Sequence, residues 1–166
     1  MKEAAVDAME VPRRFWDEET LGDPSRFMTL VSTMRLTRRV TGAVDGVIET
    51  HGLSRNGYLL LMHLELSESG TRILSSLARD LIVHPTTITL TIDRLEAEGL
   101  VKKLPHQTDR RATQASLTRS GRNLARRITD DLAEIGFGLG ALSDAQVARL
   151  DSAVNMARLA IGDGGR

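Results

Sequence analysis

The chain has 166 residues, its 22 Lys and Arg residues are balanced by 22 Asp and Glu residues, and it contains no cysteine. A chain of this length buries roughly two-thirds of its unfolded surface, which predicts one compact domain or one domain with a small appendage. The lack of cysteine excludes disulfides, cysteine-based zinc sites and thiol nucleophiles. The apolar runs are too short to cross a bilayer and the N-terminus lacks the apolar stretch of a signal peptide, so we expect a cytoplasmic protein.

The first hundred residues are predicted to form a polar arm followed by four helices. The arm covers residues 1–24 and is predicted to include a short helix over 12–20. The spacing of apolar side chains predicts helices over residues 25–52, from a Ser54 cap to Leu66, over 73–81 and over 85–98. Pro85 suits the first turn of the fourth helix, where its missing N–H costs nothing, and Gly99 ends that helix.

The pattern changes after Gly99. Residues 100–105 and 112–118 resemble strands around a polar link, which predicts a β-hairpin with a charged tip. A helix capped by Thr118 is then expected to reach Leu139, and Ser143 begins the last helix with a capping-box pattern. Two short helices joined by a tight turn and followed by a hairpin define a winged helix-turn-helix, so the fold class is mainly α with a small β-hairpin wing (α+β).

The neutral total charge conceals an uneven distribution. Residues 101–127 hold eight basic side chains and one acidic one, whereas residues 1–30, 31–100 and 128–166 carry net charges of −3, −1 and −3. A concentrated basic segment suits contact with nucleic-acid phosphates, because each neutralised phosphate releases counterions. Composition alone is equally compatible with a solvated surface cluster. The segment begins at the predicted hairpin, so charge and topology indicate the same surface.

Three stretches between Leu77 and Gly121 form a specific pattern: LARDL at 77–81, HPTTITLTIDRLEAEGLVKK at 84–103 and TDRRATQASLTRSG at 108–121. The most specific piece is Asp-Arg-Arg at the hairpin tip, followed by a strand and Leu-Thr-x-x-Gly. In these stretches the sequence resembles the MarR family of bacterial transcription regulators. The order of helices and hairpin extends the resemblance to roughly residues 25–161.

The resemblance implies a homodimeric winged-helix protein that binds a pseudo-palindromic site on double-stranded DNA and is often released by a small ligand. It also implies a dimer interface built from the first helix and the last two helices. His84-Pro85-Thr86 and Leu90-Thr91 depart from the common pattern of the family's recognition helix, which concerns the operator sequence rather than the fold. The cysteines of peroxide-sensing members are absent, so that mechanism is not expected here.

We therefore expect five regions: an N-terminal arm (1–24), dimerisation helices (25–53 and 118–161), a winged helix-turn-helix DNA-binding domain (54–117) and a flexible tail (162–166). The expected function is that of a regulator, acting as a repressor, with helix 85–98 in the major groove and the wing 101–117 at the minor groove. The sequence does not separate repression from activation. The alternative is a winged helix used for protein–protein contact without specific DNA binding.

The expected DNA contacts lie on the recognition helix and on the wing. Thr hydroxyls can bond bases or phosphates, and an Arg at a hairpin tip can enter a narrow minor groove. Either of two neighbouring arginines fits that last role, while the lone aspartate beside them orders the tip. The wing lysines are expected on phosphates. The full set is Pro85, Thr86, Thr87, Thr89, Leu90, Arg94, Lys102, Lys103, Asp109, Arg110 and Arg111. His84 is interpreted as an N-cap or as a further DNA contact.

The candidate effector residues are Trp16, Met34, Arg38, Met62 and His63. An apolar pocket with one arginine would suit an organic anion such as an aromatic acid, while ordinary packing is the competing interpretation of these positions. The four histidines show no i, i+4 pair and no accompanying carboxylates, so we expect no metal and no cofactor. The sequence also shows no nucleophile–base pair or phosphate-binding glycine loop, so we do not expect an enzyme.

Overall fold

The computed structural model describes residues 9–16, 22–106 and 112–163. The chain divides into two compact units, residues 1–42 and 43–166, and helix α2 (Ser25–Thr50) begins in the first and ends in the second. Helix α1 (Glu10–Arg14) begins earlier than predicted, and residues 17–20 of that predicted helix lie outside the described part of the chain. In the first unit the Trp16 ring lies 4.9 Å from the Phe27 ring, and its indole N–H donates to the Gly22 carbonyl oxygen at 2.7 Å.

The helices that lie within the second unit begin at the residues that the sequence predicted, except that the helix expected from Ile73 begins at Leu74. They are α3 (Arg55–Glu65), α4 (Leu74–Asp80), α5 (Pro85–Ala97), α6 (Arg119–Glu134) and α7 (Asp144–Ala160). The Ser54 hydroxyl accepts the Gly57 N–H at 3.2 Å, and the Thr118 hydroxyl accepts the Gly121 N–H at 3.0 Å. These contacts satisfy N–H groups that have no partner within their helices, which explains why both helices begin where they do.

Three strands form one antiparallel sheet in the order β1-β3-β2. They are β1 (Thr71–Ile73), β2 (Val101–Pro105) and β3 (Thr113–Leu117), and Thr71 lies opposite Ser116. The predicted hairpin is confirmed, but the sequence missed β1, whose last residue was expected to begin a helix. Three residues are too few to show the alternation of a strand, and β1 exists because β3 supplies its pairing partner.

The long helix predicted from Thr118 to Leu139 is shorter than expected. Helix α6 ends at Glu134 and is followed by a single 3₁₀ turn, Gly136–Gly138. Gly136 and Gly138 adopt φ values of 56° and 81°, a left-handed conformation that no α-helix contains. Gly136 and Gly138 therefore end the helix before Leu139.

The core of the second unit fixes the orientation of helix α5. Ile88, Ile92 and Leu95 are at most 1% exposed, which confirms that this face of the helix is turned inward. They belong to one cluster of buried side chains from α3, α4, α5 and α6, including Leu60, Leu61, Leu64, Leu77, Ile128 and Leu132. Each such side chain contributes about 1.5–3 kcal/mol on burial, so the opposite face of α5 is the one left to solvent.

Candidate nucleic-acid interface

His84 forms the N-cap of helix α5. Its Nδ1 accepts the Thr86 backbone N–H at 3.3 Å and lies 3.1 Å from the Thr86 hydroxyl, so the cap interpretation of His84 is confirmed. Because Nδ1 accepts a backbone hydrogen bond, it carries no proton in this contact, and the proton of the neutral ring resides on Nε2. Pro85 follows at the first helical turn, as predicted.

The solvent-facing side of α5 carries hydroxyl, methyl and apolar groups. Pro85, Thr86, Thr89 and Leu90 are exposed, Leu90 to 66%, whereas Thr87 is half-buried. The Thr89 hydroxyl donates to the Pro85 carbonyl oxygen at 3.2 Å, one turn back along the helix. The structure thus brings these predicted contact residues together on the first two turns of one helix.

Arg94 is the basic residue of α5, and its guanidinium is engaged within the chain. Its Nη2 donates to the Gly52 carbonyl oxygen at 3.2 Å, and its Nε donates to Glu98 at 3.0 Å. Gly52 follows the end of α2, so Arg94 extends away from Thr86 and Thr89 toward the α2–α3 turn. A DNA contact by Arg94 would have to use its remaining N–H donors or replace these two interactions.

Lys103, at the base of the wing, is held by two carboxylates of α5. Its Nζ lies 2.8 Å from Asp93 and 3.1 Å from Glu96, and its backbone N–H donates to Glu96 at 2.8 Å. The backbone and ammonium donors of Lys103 lower the pKa of Glu96, while the hydrogen bonds to Asp93 and Glu96 raise the pKa of Lys103. Each exposed ion pair contributes little to the stability of the fold. The hydrogen bond from the Lys103 backbone N–H to Glu96 nevertheless joins strand β2 to helix α5.

Two more cations of the basic segment pair with one carboxylate on α3. Arg126 lies 2.7 Å from Glu65, and Arg122 lies 2.9 Å from it. Lys102, Arg119 and Arg127 form no ion pair within the described residues and are exposed. These partners could not be predicted from the sequence, because Glu65 is 61 residues from Arg126, beyond any local pattern.

The charged tip of the wing falls outside the described residues. Asp109, Arg110 and Arg111 belong to it, so their predicted contacts stay predictions. The described part of the hairpin ends with Pro105 opposite Thr113, beyond which the His106 N–H donates to the Ala112 carbonyl oxygen at 3.1 Å. The hairpin therefore brackets the segment that contains both arginines.

The five predicted effector residues divide between the two units. Trp16, Met34 and Arg38 belong to the first unit, and Met62 and His63 to the second. Trp16 packs within its own unit, on Phe27 and Gly22, as the packing interpretation of this position expected. The first unit contains an open groove of about 700 Å³, but Trp16, Met34 and Arg38 do not line it.

The described residues hold no group of three or more His, Asp or Glu side chains arranged to bind a metal. Within the same residues, no helix is both long and apolar enough to cross a membrane. Helix α5 is exposed on one face, packs on the buried cluster with the other, and is followed directly by the hairpin of β2 and β3. This arrangement defines a winged helix-turn-helix protein.

Comparisons with known proteins identify the family. The model of the MarR family matches residues 53–113. Sco5413, a MarR family transcriptional regulator from Streptomyces coelicolor, is 33% identical in sequence, and the match has a TM-score of 0.79 and covers 87% of this chain and all of that one. The chain therefore belongs to the MarR family of transcriptional regulators. This membership confirms the expectation that the chain is not an enzyme.

Two further proteins are similar to this chain, the first in sequence over part of its length and the second in fold. The HTH-type transcriptional regulator PrsX of Escherichia coli is 30% identical over 96 residues, which cover 58% of this chain and 58% of PrsX. Sco3205, a MarR family regulator from Streptomyces coelicolor whose structure contains DNA, is 18% identical with a TM-score of 0.75. That match covers 84% of this chain and 89% of Sco3205, and it shows a shared fold.

Proposed function

We propose that this chain is a homodimeric, sequence-specific DNA-binding repressor that reads a pseudo-palindromic operator. Helix α5 would occupy the major groove, and the hairpin of β2 and β3 would reach the minor groove. The observation that carries this proposal is the division of α5 into a buried apolar face and an exposed face bearing Thr86, Thr89 and Leu90. The shared fold with Sco3205, which was solved with DNA, supports it. Such a repressor would act in the cytoplasm, where chromosomal DNA is accessible.

The proposal of a dimer rests on helices that the chain leaves uncovered. Helix α7 has 17 residues, and none of them is buried. Helices of this length are marginal in water without tertiary contacts, so α7 needs a partner surface. It exposes large apolar side chains, namely Val154, Met156 and Leu159, and Ile161 follows them. We propose that residues 25–53 and 118–161 form the dimer interface and that residues 54–117 form the DNA-binding domain.

A dimer of this kind would place two recognition helices about one DNA turn apart, roughly 34–36 Å. The test of the dimer compares Val154→Glu with Asn155→Glu, because neighbouring residues of a helix point about 100° apart. Light scattering after size exclusion should report a monomer for Val154→Glu and a dimer for Asn155→Glu. Monomeric wild-type protein at micromolar concentration would contradict the proposal.

The proposed DNA contacts divide into free and engaged groups. Lys102 is exposed without an ion pair in the described part of the chain, whereas Arg94 and Lys103 already hold carboxylates. Phosphate contact by Lys103 would therefore compete with Asp93 and Glu96. We propose that Lys102 and the wing arginines supply most of the salt-dependent affinity and that base reading falls to the exposed residues of α5.

The DNA-binding proposal is tested by titrating a duplex from the region upstream of the chain's own gene, at several salt concentrations, with fluorescence anisotropy as the readout. The double variant Arg110→Ala/Arg111→Ala should bind more weakly and lower the salt slope by about 0.9 for each phosphate that the variant leaves unneutralised. The control is Arg14→Ala/Arg26→Ala, which removes two exposed cations of the first unit and should leave the slope unchanged. Absence of binding at low salt would leave the protein-interaction alternative as the better explanation.

We further propose that a small organic anion, of the aromatic-acid class, releases the DNA by binding near Trp16, Met34 and Arg38 of the first unit. The support is chemical, because these positions combine apolar side chains with one guanidinium. Benzoate provides a simple probe. It should lower the affinity of the wild-type protein for the duplex and leave that of Arg38→Ala unaffected, and equal effects on both would contradict this assignment.

A further inference from the structure

We propose that helix α5 reads thymine methyl groups, so that the centre of each operator half-site is a run of A·T pairs rather than a guanine-containing motif. This inference rests on the proposed DNA-binding function and specifies its substrate. It follows from which chemical groups the exposed face of α5 offers and from which groups the chain has already engaged.

The first step concerns guanine and adenine. Guanine is read in the major groove by Arg or Lys, and adenine by Asn or Gln. The sequence of α5, PTTITLTIDRLEA, contains neither Asn, Gln nor Lys, and its single Arg94 donates to Gly52 and Glu98 instead. The helix therefore lacks Asn, Gln and Lys, and its one Arg is directed toward Gly52 and Glu98.

The second step concerns the threonine hydroxyls. Thr89 donates its hydroxyl hydrogen to the Pro85 carbonyl oxygen at 3.2 Å, and the Thr86 hydroxyl lies 3.1 Å from the unprotonated Nδ1 of His84. The Thr89 hydroxyl hydrogen thus has a partner within the chain, and the Thr86 hydroxyl lies beside an Nδ1 lone pair that it would share with the Thr86 N–H. What each exposed threonine still offers to a base is its oxygen lone pairs and its methyl group.

The third step concerns Leu90. A single exposed leucine is ordinary on a protein surface. Leu90, however, is 66% exposed and lies one turn after Thr86 and beside Thr89, at the middle of the face that is turned away from the core. Threonine methyl groups on two sides of it extend the apolar surface. The thymine 5-methyl is the one feature of a major-groove edge that such a surface matches.

Asp93 follows Leu90 on the same face of helix α5, three residues further along. Its Oδ1 lies 2.8 Å from Lys103 Nζ, so this carboxylate has a cationic partner within the protein. A paired carboxylate tolerates a base edge without needing a cytosine amino group to neutralise it. The part of the exposed face of α5 around Leu90 is therefore apolar, with its one carboxylate paired, and it is suited to the methyl side of A·T pairs.

The experiment begins with selection of binding sites by the full-length protein from a randomised duplex library. The selected duplex is then remade with deoxyuridine in place of each thymidine, which removes one methyl group and changes no hydrogen-bonding group. Because a buried methyl group contributes about as much as a CH₂ group, each contacted thymine should lower affinity about fourfold when replaced. Leu90→Ala should bind the thymidine duplex more weakly and should lose the sensitivity to deoxyuridine at its own position.

The matched control is Leu66→Ala, since Leu66 is also an exposed leucine, at 79%, but follows the end of α3. It should keep the full sensitivity to deoxyuridine. Selected half-sites centred on guanine, or equal affinity for thymidine and deoxyuridine duplexes, would overturn the inference while leaving the DNA-binding proposal intact. Failure to select any duplex would overturn the proposed function, and the inference with it.

Discussion

The junction between the recognition helix, the wing and helix α6 depends on a glycine that has no room for a side chain. A Cβ atom at Gly121 would lie 2.1 Å from the Leu100 carbonyl oxygen and 2.9 Å from the Leu117 Cδ1. Real contacts of this kind do not fall below 3.0 Å, so the backbone would have to shift by the difference between 3.0 and 2.1 Å. We predict that Gly121→Ala strongly destabilises the fold.

The expected loss of stability follows from the hydrogen bonds that the Leu100 backbone forms. The Leu100 carbonyl oxygen accepts the Thr118 backbone N–H at 3.1 Å and the Thr118 hydroxyl at 3.0 Å. The Leu100 N–H donates to the Leu95 carbonyl oxygen at 2.9 Å. Overpacking costs about 1–3 kcal/mol, and each weakened hydrogen bond adds about 0.5–1.5 kcal/mol. The free energy of unfolding should therefore fall by about 3 kcal/mol, which corresponds to a Tm lower by about 6–12 °C in a chain of this size.

The assay is thermal unfolding followed by circular dichroism, with every variant at the same protomer concentration because a dimer's Tm depends on concentration. The control is Gly42→Ala on helix α2, where a Cβ meets nothing within 4 Å and φ is not positive. That variant should gain about 0.8–1 kcal/mol from helix propensity. A Gly121→Ala protein that melts with the wild type would refute the steric reasoning.

Three further predictions concern stability. The donors of Lys103 lower the pKa of Glu96, so this contact stabilises the fold at neutral pH and is lost as the pH falls through that lowered pKa. Glu96→Gln should therefore flatten the acid limb of a plot of urea midpoint against pH, and an unaltered limb would contradict this. Ile82 is 77% exposed at a φ of 52°, a left-handed conformation that costs a β-branched residue about 1–2 kcal/mol, so Ile82→Gly should raise stability by about 1 kcal/mol in urea titration. His84→Ala should remove the cap on Thr86 and cost about 1 kcal/mol, whereas His84→Asp should restore it, and equal loss in both would exclude a capping role.

Local pattern was sufficient to predict the elements that local chemistry determines. The spacing of Ile88, Ile92 and Leu95 identified the buried face of α5, and Ser54 and Thr118 identified two helix starts, because each signal lies within one helical turn of its effect. The order of these elements was enough to predict the winged helix-turn-helix, and the motifs between Leu77 and Gly121 indicated the family.

The features that the sequence missed depend on residues far apart in the chain. Strand β1 exists through its pairing with β3, where Thr71 meets Ser116 45 residues away. The carboxylate partner of Arg126 is likewise remote, so the basic segment looked less neutralised in the sequence than it is in the structure. The glycines after Glu134 are a feature that was missed although the residues lie close together. The sequence shows the glycines, but it does not show that Gly136 and Gly138 adopt a left-handed conformation.

The hydrogen bond from the Lys103 backbone N–H to Glu96 bears on the spacing between the two proposed DNA contacts, one from helix α5 and one from the hairpin. It fastens strand β2 to the last turns of α5 through the main chain, so it persists whatever side chain occupies position 103. In the proposed complex, the base pairs under the helix and those under the hairpin would then be separated by a fixed distance. An operator with one base pair inserted between those two contacts would satisfy the helix or the hairpin, but not both.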